Sequence, residues 1–187
     1  MRCSRCGTTF AGRADAKFCS TRCRVAAHRA NGSHLPAALT ARPNWVLHRN
    51  KVPRCAFGGP ASSTDPSTWC DFDTARDAAD HGAVDGVGFV FDGTGIVGID
   101  LDDCLHDGVL EDWAADIVAQ CAGTYIEVSP SGHGLHIFGR GMVGTGRRMG
   151  QVEVYDRARY FTVTGRRWPG SSLRLADLTR VVQRLTA

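Results

Sequence analysis

One short apolar run, Ile96-Val97-Gly98-Ile99-Asp100-Leu101-Asp102, has the alternation of a β-strand. Because strand side chains alternate between two faces, the odd-numbered residues would point into a core, whereas Asp100 and Asp102 would share the opposite face with Ile96 and Gly98. Two neighbouring carboxylates repel each other unless a cation lies between them, and hard oxygen ligands suit Mg²⁺ or Mn²⁺. The alternative is a strand that ends in solvated aspartates at a turn, so other residues must decide between the two.

The composition predicts one ordinary domain and a small additional module. The chain has 187 residues, and its hydrophobic fraction of 43% suits a packed core. It has no apolar run of the roughly 20 residues that a membrane span needs and no signal-peptide pattern, so we expect a cytoplasmic protein without a membrane partner. The net charge of +3 hides an acidic middle between basic ends. Such segregation favours a polyanion bound at the ends and metal bound between them, although solvated surfaces have the same composition.

Four of the eight cysteines lie near the N-terminus, as Cys3-x2-Cys6 and Cys19-x3-Cys23. In a reducing compartment this spacing predicts a tetrahedral zinc site, whose binding energy would fold a segment too short to have its own core. The stretch resembles small zinc-binding modules whose second half reads Phe-Cys-Ser-x-x-Cys-Arg, and its arginines favour nucleic acid over protein as a partner. We predict a zinc-binding module over residues 1–30 and a linker over residues 31–42.

A loop of small residues follows a predicted strand at 124–128. The loop reads Ser129-Pro130-Ser131-Gly132-His133-Gly134. Its glycines would let the backbone approach a phosphate closely, and Ser129 and Ser131 would add hydroxyl donors. His136 enters the next strand on its polar face, so its side chain could point where the two aspartates point. The alternative for a single histidine in a strand is a neutral core residue.

A third carboxylate, Glu153, lies on the polar face of a predicted strand at 151–155. Asp71 is placed to cap the helix that follows it. Hydrophobic periodicity and turn residues predict further elements around these segments. They are strands at 45–48, 86–91, 95–101 and 160–164, and helices at 72–80, between 110 and 121, and at 173–185.

Three features, in this order, resemble the motifs of the primase-polymerases of the archaeo-eukaryotic primase superfamily, in the form found on phages and plasmids. They are Asp100-x-Asp102 at a strand end, Ser129-Pro-Ser-Gly-x-Gly-Leu-His136, and Glu153 followed by Tyr160-Phe-Thr-Val-Thr-Gly. The resemblance extends over residues 43 to 169. It implies an α+β catalytic domain over residues 43–187, built on an RRM-like antiparallel or mixed sheet.

The resemblance also implies a chemistry and its partners. Asp100, Asp102 and Glu153 would bind two Mg²⁺ or Mn²⁺ ions for template-directed nucleotidyl transfer. The partners would be a single-stranded DNA template, nucleoside triphosphates and a helicase or other replication protein. His136 would contact the triphosphate and also counts among the catalytic residues. The residues implied in nucleotide binding are Ser129, Ser131, Gly132, Gly134, His136, Arg159 and Thr164.

Two other functions would use the same segments. A regulatory DNA-binding protein with a degenerate primase domain would lack a carboxylate or the histidine, and none is missing. A metal-dependent phosphodiesterase would use the same acids with His133 and His136, although the serine and glycine loop favours a triphosphate ligand. Members of the family commonly carry a further helicase or helical domain that handles the template. In this chain, template handling would come from the zinc module or from a partner. Many also have aspartate where this chain has Glu153.

Overall fold

The computed structural model describes residues 1–3, 7–12, 16–20, 23 and 34–187. Cys6 of the predicted zinc site and residues 31–33 of the predicted linker lie outside these ranges. The chain divides into two compact units, Met1–His34 and Leu35–Ala187. Within the described ranges, no helix has both the length and the apolar character needed to cross a bilayer.

The second unit is a mixed α+β fold, as predicted. It begins with a short helix, α1, whose Leu39 is fully buried, so part of the segment expected as a linker packs into this unit. The helix α2 begins after Asp71, whose carboxylate accepts a hydrogen bond from Thr74 N–H at 2.9 Å. The elements are α1 Ala37–Thr40, β1 Trp45–Arg49, β2 Val52–Arg54, a 3₁₀ helix Pro66–Thr68, α2 Phe72–His81, β3 Gly86–Asp92, β4 Ile96–Leu101, β5 Leu105–His106, β6 Val109–Leu110, α3 Asp112–Gln120, β7 Tyr125–Val128, β8 Leu135–Arg140, β9 Arg147–Met149, β10 Val152–Tyr155, β11 Arg157–Val163 and α4 Thr179–Leu185.

The strands form two main sheets and one small hairpin. The four-stranded sheet has the order β11-β3-β1-β2, the five-stranded sheet has the order β7-β8-β4-β10-β9, and β5 pairs with β6. Every strand pair in these sheets is antiparallel. The chain passes between the main sheets twice, from β3 to β4 and from β10 to β11, through short turns. The antiparallel character is therefore shown, whereas the specific RRM-like arrangement remains a prediction.

An aromatic core joins the two sheets. Phe91 of β3 and Phe161 of β11 meet edge to face, with ring centroids 4.9 Å apart, and both contact Phe138 of β8. Trp45 of β1 extends this core to α2 through Phe72, at 4.7 Å. Aromatic pairs at these separations gain energy beyond their buried area. The face of β4 that carries the aspartate is therefore covered by a second sheet for most of its length.

The opposite face of the five-stranded sheet packs against helices. Ile99 of β4 and Ile137 of β8 belong to a core that also contains Ile117 of α3 and Val182 of α4. The sequence predicted correctly that the odd-numbered residues of β4 face a core, because Val97, Ile99 and Leu101 are all fully buried. The alternating side chains of β4 thus face two cores. The core against the helices is apolar throughout, whereas the core between the sheets ends at polar residues.

The last helix is shorter than predicted. The apolar spacing predicted a helix from 173, but α4 begins at Thr179. The preceding residues instead pair with the end of β8, where Arg140 N–H donates to Ala176 O at 2.7 Å and Leu178 N–H donates to Arg140 O at 2.8 Å. Asp177 accepts a hydrogen bond from Thr179 N–H at 2.8 Å in the turn that leads into α4. Tertiary pairing with the sheet edge therefore overrides the local helical pattern.

Candidate active site

Five polar residues form one row across the five-stranded sheet. The register places His136 of β8 opposite Glu127 of β7 and also opposite Asp100 of β4. It places Glu153 of β10 opposite Asp100 and opposite Arg148 of β9. The row therefore runs Glu127, His136, Asp100, Glu153, Arg148. Antiparallel pairing brings together one residue from each of the three motifs that the sequence singled out.

The row lies where the apolar core between the sheets ends. The His136 ring stacks on the ring of Phe161, with centroids 4.9 Å apart and planes 26° apart. Beside it on β4, Gly98 lets the two sheets approach each other. A Cβ at Gly98 would lie 2.3 Å from Cζ of Phe91 and 2.5 Å from Cε2 of Phe161, so a larger residue does not fit. The polar side chains are consequently held against a packed aromatic surface.

Asp100 is a carboxylate of this row whose pKa is raised by its buried position. Its side chain is 19% exposed, and its Oδ1 lies 3.6 Å from Nε2 of His136 but has no hydrogen-bond partner. Burial raises the pKa of Asp100 to about 6, the charges of Asp102 and Glu153 act in the same direction, and His136 and Lys51 oppose them. The ionised carboxylate lacks the full counter-charge that a bound cation would supply.

The other two predicted metal ligands occupy different settings. Asp102 follows the last residue of β4 and is exposed. Glu153 is buried, and two arginines hold its carboxylate: Arg148 Nη1 lies 3.0 Å from Oε1, and Arg159 Nη2 lies 3.3 Å from Oε2. The guanidinium of Arg159 also lies 4.9 Å above the ring centroid of Tyr155. Arg159, which the family resemblance implies in nucleotide binding, is here a partner of Glu153.

Glu127 is the member of the row that the sequence analysis missed. It is fully buried, and its Oε1 lies 3.6 Å from Nδ1 of His136. The hydroxyl of Tyr125 donates to Oε2 at 2.8 Å, while the backbone N–H groups of Thr164 and Gly165 donate to Oε1 at 3.0 Å and Oε2 at 2.8 Å. The available signal was a charged residue in the middle of an otherwise apolar strand, because such a residue is rarely buried without partners.

The serine and glycine loop lies against the end of β4. A Cβ at Gly134 would lie 2.6 Å from the carbonyl oxygen of Leu101 and 3.6 Å from Cα of Asp102. The glycine therefore permits a close approach of the loop backbone to the end of β4. The hydroxyls of Ser129 and Ser131 are 3.0 Å apart, and Gly132 N–H donates to Ser129 O at 3.0 Å. The structure therefore brings the predicted loop next to the predicted carboxylates.

A cavity of about 660 Å³ opens between this loop and the end of the four-stranded sheet, within the size range of small-molecule sites. Its lining includes Ser131, three cationic side chains, Lys51, Arg76 and Arg166, and one carboxylate, Asp85. Thr164 also lines it, but its hydroxyl donates to Val128 O at 2.7 Å and so already has a partner. Cations and hydroxyl groups around a cavity suit a phosphorylated ligand.

The candidate sulfur ligands lie closer to one another than the candidate carboxylate ligands do. Among the described residues, Cys3, Cys19 and Cys23 form the single group of at least three metal-ligand side chains whose donor atoms all lie within 4.8 Å of one another. The sulfurs of Cys19 and Cys23 are 3.5 Å apart, close to the edge of about 3.8 Å that Zn–S bonds of about 2.3 Å give a tetrahedron. Among the described residues, the carboxylates of Asp100 and Glu153 form no such group with a third ligand, and two arginines contact Glu153.

Comparison with known proteins supports the primase-polymerase resemblance. No protein-family model matches the chain. The chain is similar to a curated protein named DNA Primase-polymerase from Nitratiruptor phage NrS-1, with 33% identity over 148 residues. The match covers 71% of this chain and 20% of the relative, so the chain spans about a fifth of the length of the curated relative it matches. This similarity agrees with the resemblance that the three motifs carry.

Proposed function

We propose that this chain carries the catalytic core of a DNA primase-polymerase, which joins nucleotides along a single-stranded DNA template. The observation that carries the proposal is the alignment of His136, Asp100 and Glu153 in one row across three strands, with Asp100 only partly neutralised. The same row lies beside the loop that contains Ser129 and Ser131 and near a cation-lined cavity. A site for two metals and a triphosphate needs these parts close together.

The carboxylates fit divalent ions by their chemistry. The buried Oδ1 of Asp100 has no hydrogen-bond partner, which suits a hard oxygen ligand. Asp102 is exposed and lies two residues after Asp100. Glu153 would bind a metal only after its two arginine partners move away. The side chains of Arg148 and Arg159 are 67% and 52% exposed, so water can solvate both guanidinium groups once a metal replaces them at the buried Glu153. Two Mg²⁺ or Mn²⁺ ions, when bound, would favour the ionised 3′-hydroxyl and stabilise charge on the departing pyrophosphate.

The chain's own residues would bind and orient the nucleotide. In the reaction the 3′-hydroxyl of a primer, or of an initiating nucleotide, loses its proton to water, and its oxygen forms a bond to the α-phosphorus as the bond to the bridging oxygen breaks and pyrophosphate departs. His136 would contact the triphosphate from the row. The loop from Ser129 to Gly134 would cradle it, with Ser131 and Arg166 at the cavity wall. Arg159, once released from Glu153, would complete the phosphate contacts, and Thr164 would line the cavity wall beside them.

The N-terminal unit would bind zinc through Cys3, Cys19 and Cys23, with Cys6 as the fourth ligand, and would serve as a structural module. Thiolates in this arrangement suit Zn²⁺. The basic residues around the cysteines suit a DNA partner. We place the activity in the cytoplasm, in the replication of a phage, plasmid or integrated element, with a helicase or other replication protein as a further partner.

Nucleotide incorporation on a single-stranded template tests the proposal. The wild type and Asp100→Ala/Asp102→Ala would be compared in Mg²⁺ or Mn²⁺, with and without a primer and with ribonucleotides or deoxyribonucleotides. We expect products that lengthen with the wild type and are lost in the double variant. Asp103→Asn is the control, because Asp103 is an exposed neighbouring acid that the proposed site does not use, and asparagine tolerates its positive φ of 47°.

The outcomes separate the competing functions. Growth without a primer would identify priming, and growth only with a primer would identify extension. Template binding without synthesis would refute catalysis in favour of a regulatory protein. Degradation of the template would instead identify a metal-dependent phosphodiesterase.

A further inference from the structure

Glu127 has no oxygen available for a metal or a substrate. Its Oε1 faces Nδ1 of His136 and accepts a hydrogen bond from Thr164 N–H, and its Oε2 accepts from Tyr125 and Gly165. Burial and the neighbouring carboxylate raise the pKa of Tyr125, so its hydroxyl remains a donor. A fully buried carboxylate with four polar neighbours is fixed in position. Its role must therefore be exerted through one of those neighbours.

His136 is the neighbour that reaches the proposed site. Its Nδ1 edge faces Glu127 and its Nε2 edge faces Asp100, each at 3.6 Å, while the ring face rests on Phe161. The ring plane is thus set by Phe161. Neither carboxylate lies within hydrogen-bond distance of the ring, so Glu127 acts on the Nδ1 edge through its charge. A carboxylate behind a histidine commonly fixes which ring nitrogen faces the ligand.

We propose that Glu127 is a positioning residue, which holds His136 with its Nε2 edge toward the triphosphate of the bound nucleotide. The inference rests on the proposed function and extends it by one residue. Glu127 also ties the turn after β11, at Thr164 and Gly165, to the strand next to His136. The ring orientation and the wall of the nucleotide cavity are therefore fixed by one side chain.

Glu127→Gln removes the charge while keeping the size of the side chain. Its amide nitrogen would face a backbone N–H in either orientation, so some loss of stability is expected whether or not the positioning role exists. A double-mutant cycle with His136→Ala removes this structural contribution. The measurement is the Kd of a nucleoside triphosphate with Mg²⁺ for the full chain, with the melting temperature of each variant recorded alongside.

In the wild-type background we expect Glu127→Gln to raise the Kd of the nucleotide about tenfold. This is the lower end of the loss commonly seen when the hydrogen-bonding partner of a ligand-binding histidine is removed. In the His136→Ala background the same change should alter Kd by less than about twofold, because the residue through which Glu127 acts is gone. Tyr125→Phe, which removes a donor to Glu127 but keeps its charge, should bind nucleotide like the wild type. His136→Asn replaces His136→Ala in the cycle if the alanine variant does not fold.

Each contrary result has a distinct meaning. An equal loss of affinity with and without His136 would overturn the positioning role, because Glu127 would then act through the turn after β11. A loss in Tyr125→Phe as large as that in Glu127→Gln would overturn it as well. Failure of the folded wild type to bind any nucleoside triphosphate would overturn the proposed function together with this inference.

Discussion

Replacing Asp100 by asparagine should stabilise the protein when no divalent ion is present. A carboxyl group whose pKa is higher in the folded state binds its proton more tightly when folded. Its stabilising contribution is complete below the unfolded pKa and is lost as the pH rises through the folded pKa. For Asp100 these values are 3.8 and about 6, so stability is lost between them. The asparagine variant has no charge to bury and escapes this loss.

The magnitude follows from the same two values. At about 1.4 kcal/mol for each pH unit, the interval from 3.8 to about 6 corresponds to about 3 kcal/mol. The value already includes the attraction that His136 and Lys51 exert on the ionised carboxylate. For a chain of this length, about 3 kcal/mol corresponds to a melting temperature higher by about 6–12 °C. The full difference should be present at pH 7, should fall to about 0.5 kcal/mol at pH 4 and should vanish below the unfolded pKa of 3.8.

The assay is denaturant unfolding of wild type and Asp100→Asn from pH 4 to pH 8, first without added divalent ions and then with Mg²⁺ or Mn²⁺. Added ions should stabilise the wild type above pH 6 more than the variant, because the variant lacks one of the three proposed ligands. Asp103→Asn serves as the control, since Asp103 is exposed. A variant less stable than the wild type at pH 8 without divalent ions, or a difference independent of pH, would refute the reasoning.

Three further outcomes are expected. Purified protein should contain about one zinc per chain by metal analysis under reducing conditions, and Cys3→Ser should reduce that content; zinc-free folded protein would contradict the N-terminal site. Gly98→Ala should lower the free energy of unfolding by about 1–3 kcal/mol in denaturant titrations, because its Cβ would collide with Phe91 and Phe161; unchanged stability would show that the sheets separate easily. Ser131→Ala should raise the KM for nucleotide a few-fold with little change in melting temperature, since Ser131 is exposed at the cavity; an unchanged KM would remove Ser131 from the nucleotide site.

The sequence alone determined the local features of the site. Alternation along β4 assigned Asp100 to the face opposite Val97 and Ile99, because side-chain direction in a strand depends only on position. The cap at Asp71 was equally local, since its carboxylate bonds the backbone three residues later. The serine and glycine loop was recognisable for the same reason, because backbone freedom and hydroxyl donors are properties of the residues themselves.

Only the tertiary structure decided what those residues face. The row from Glu127 to Arg148 depends on the register of five strands, which pairing between distant segments determines. The burial that raises the pKa of Asp100 likewise has no local signature. Glu127 looked unremarkable until its four polar neighbours were placed around it, and the last helix lost its first turns to pairing with Arg140. Local geometry is encoded by neighbouring residues, whereas burial and electrostatics arise from contacts between segments far apart in the chain.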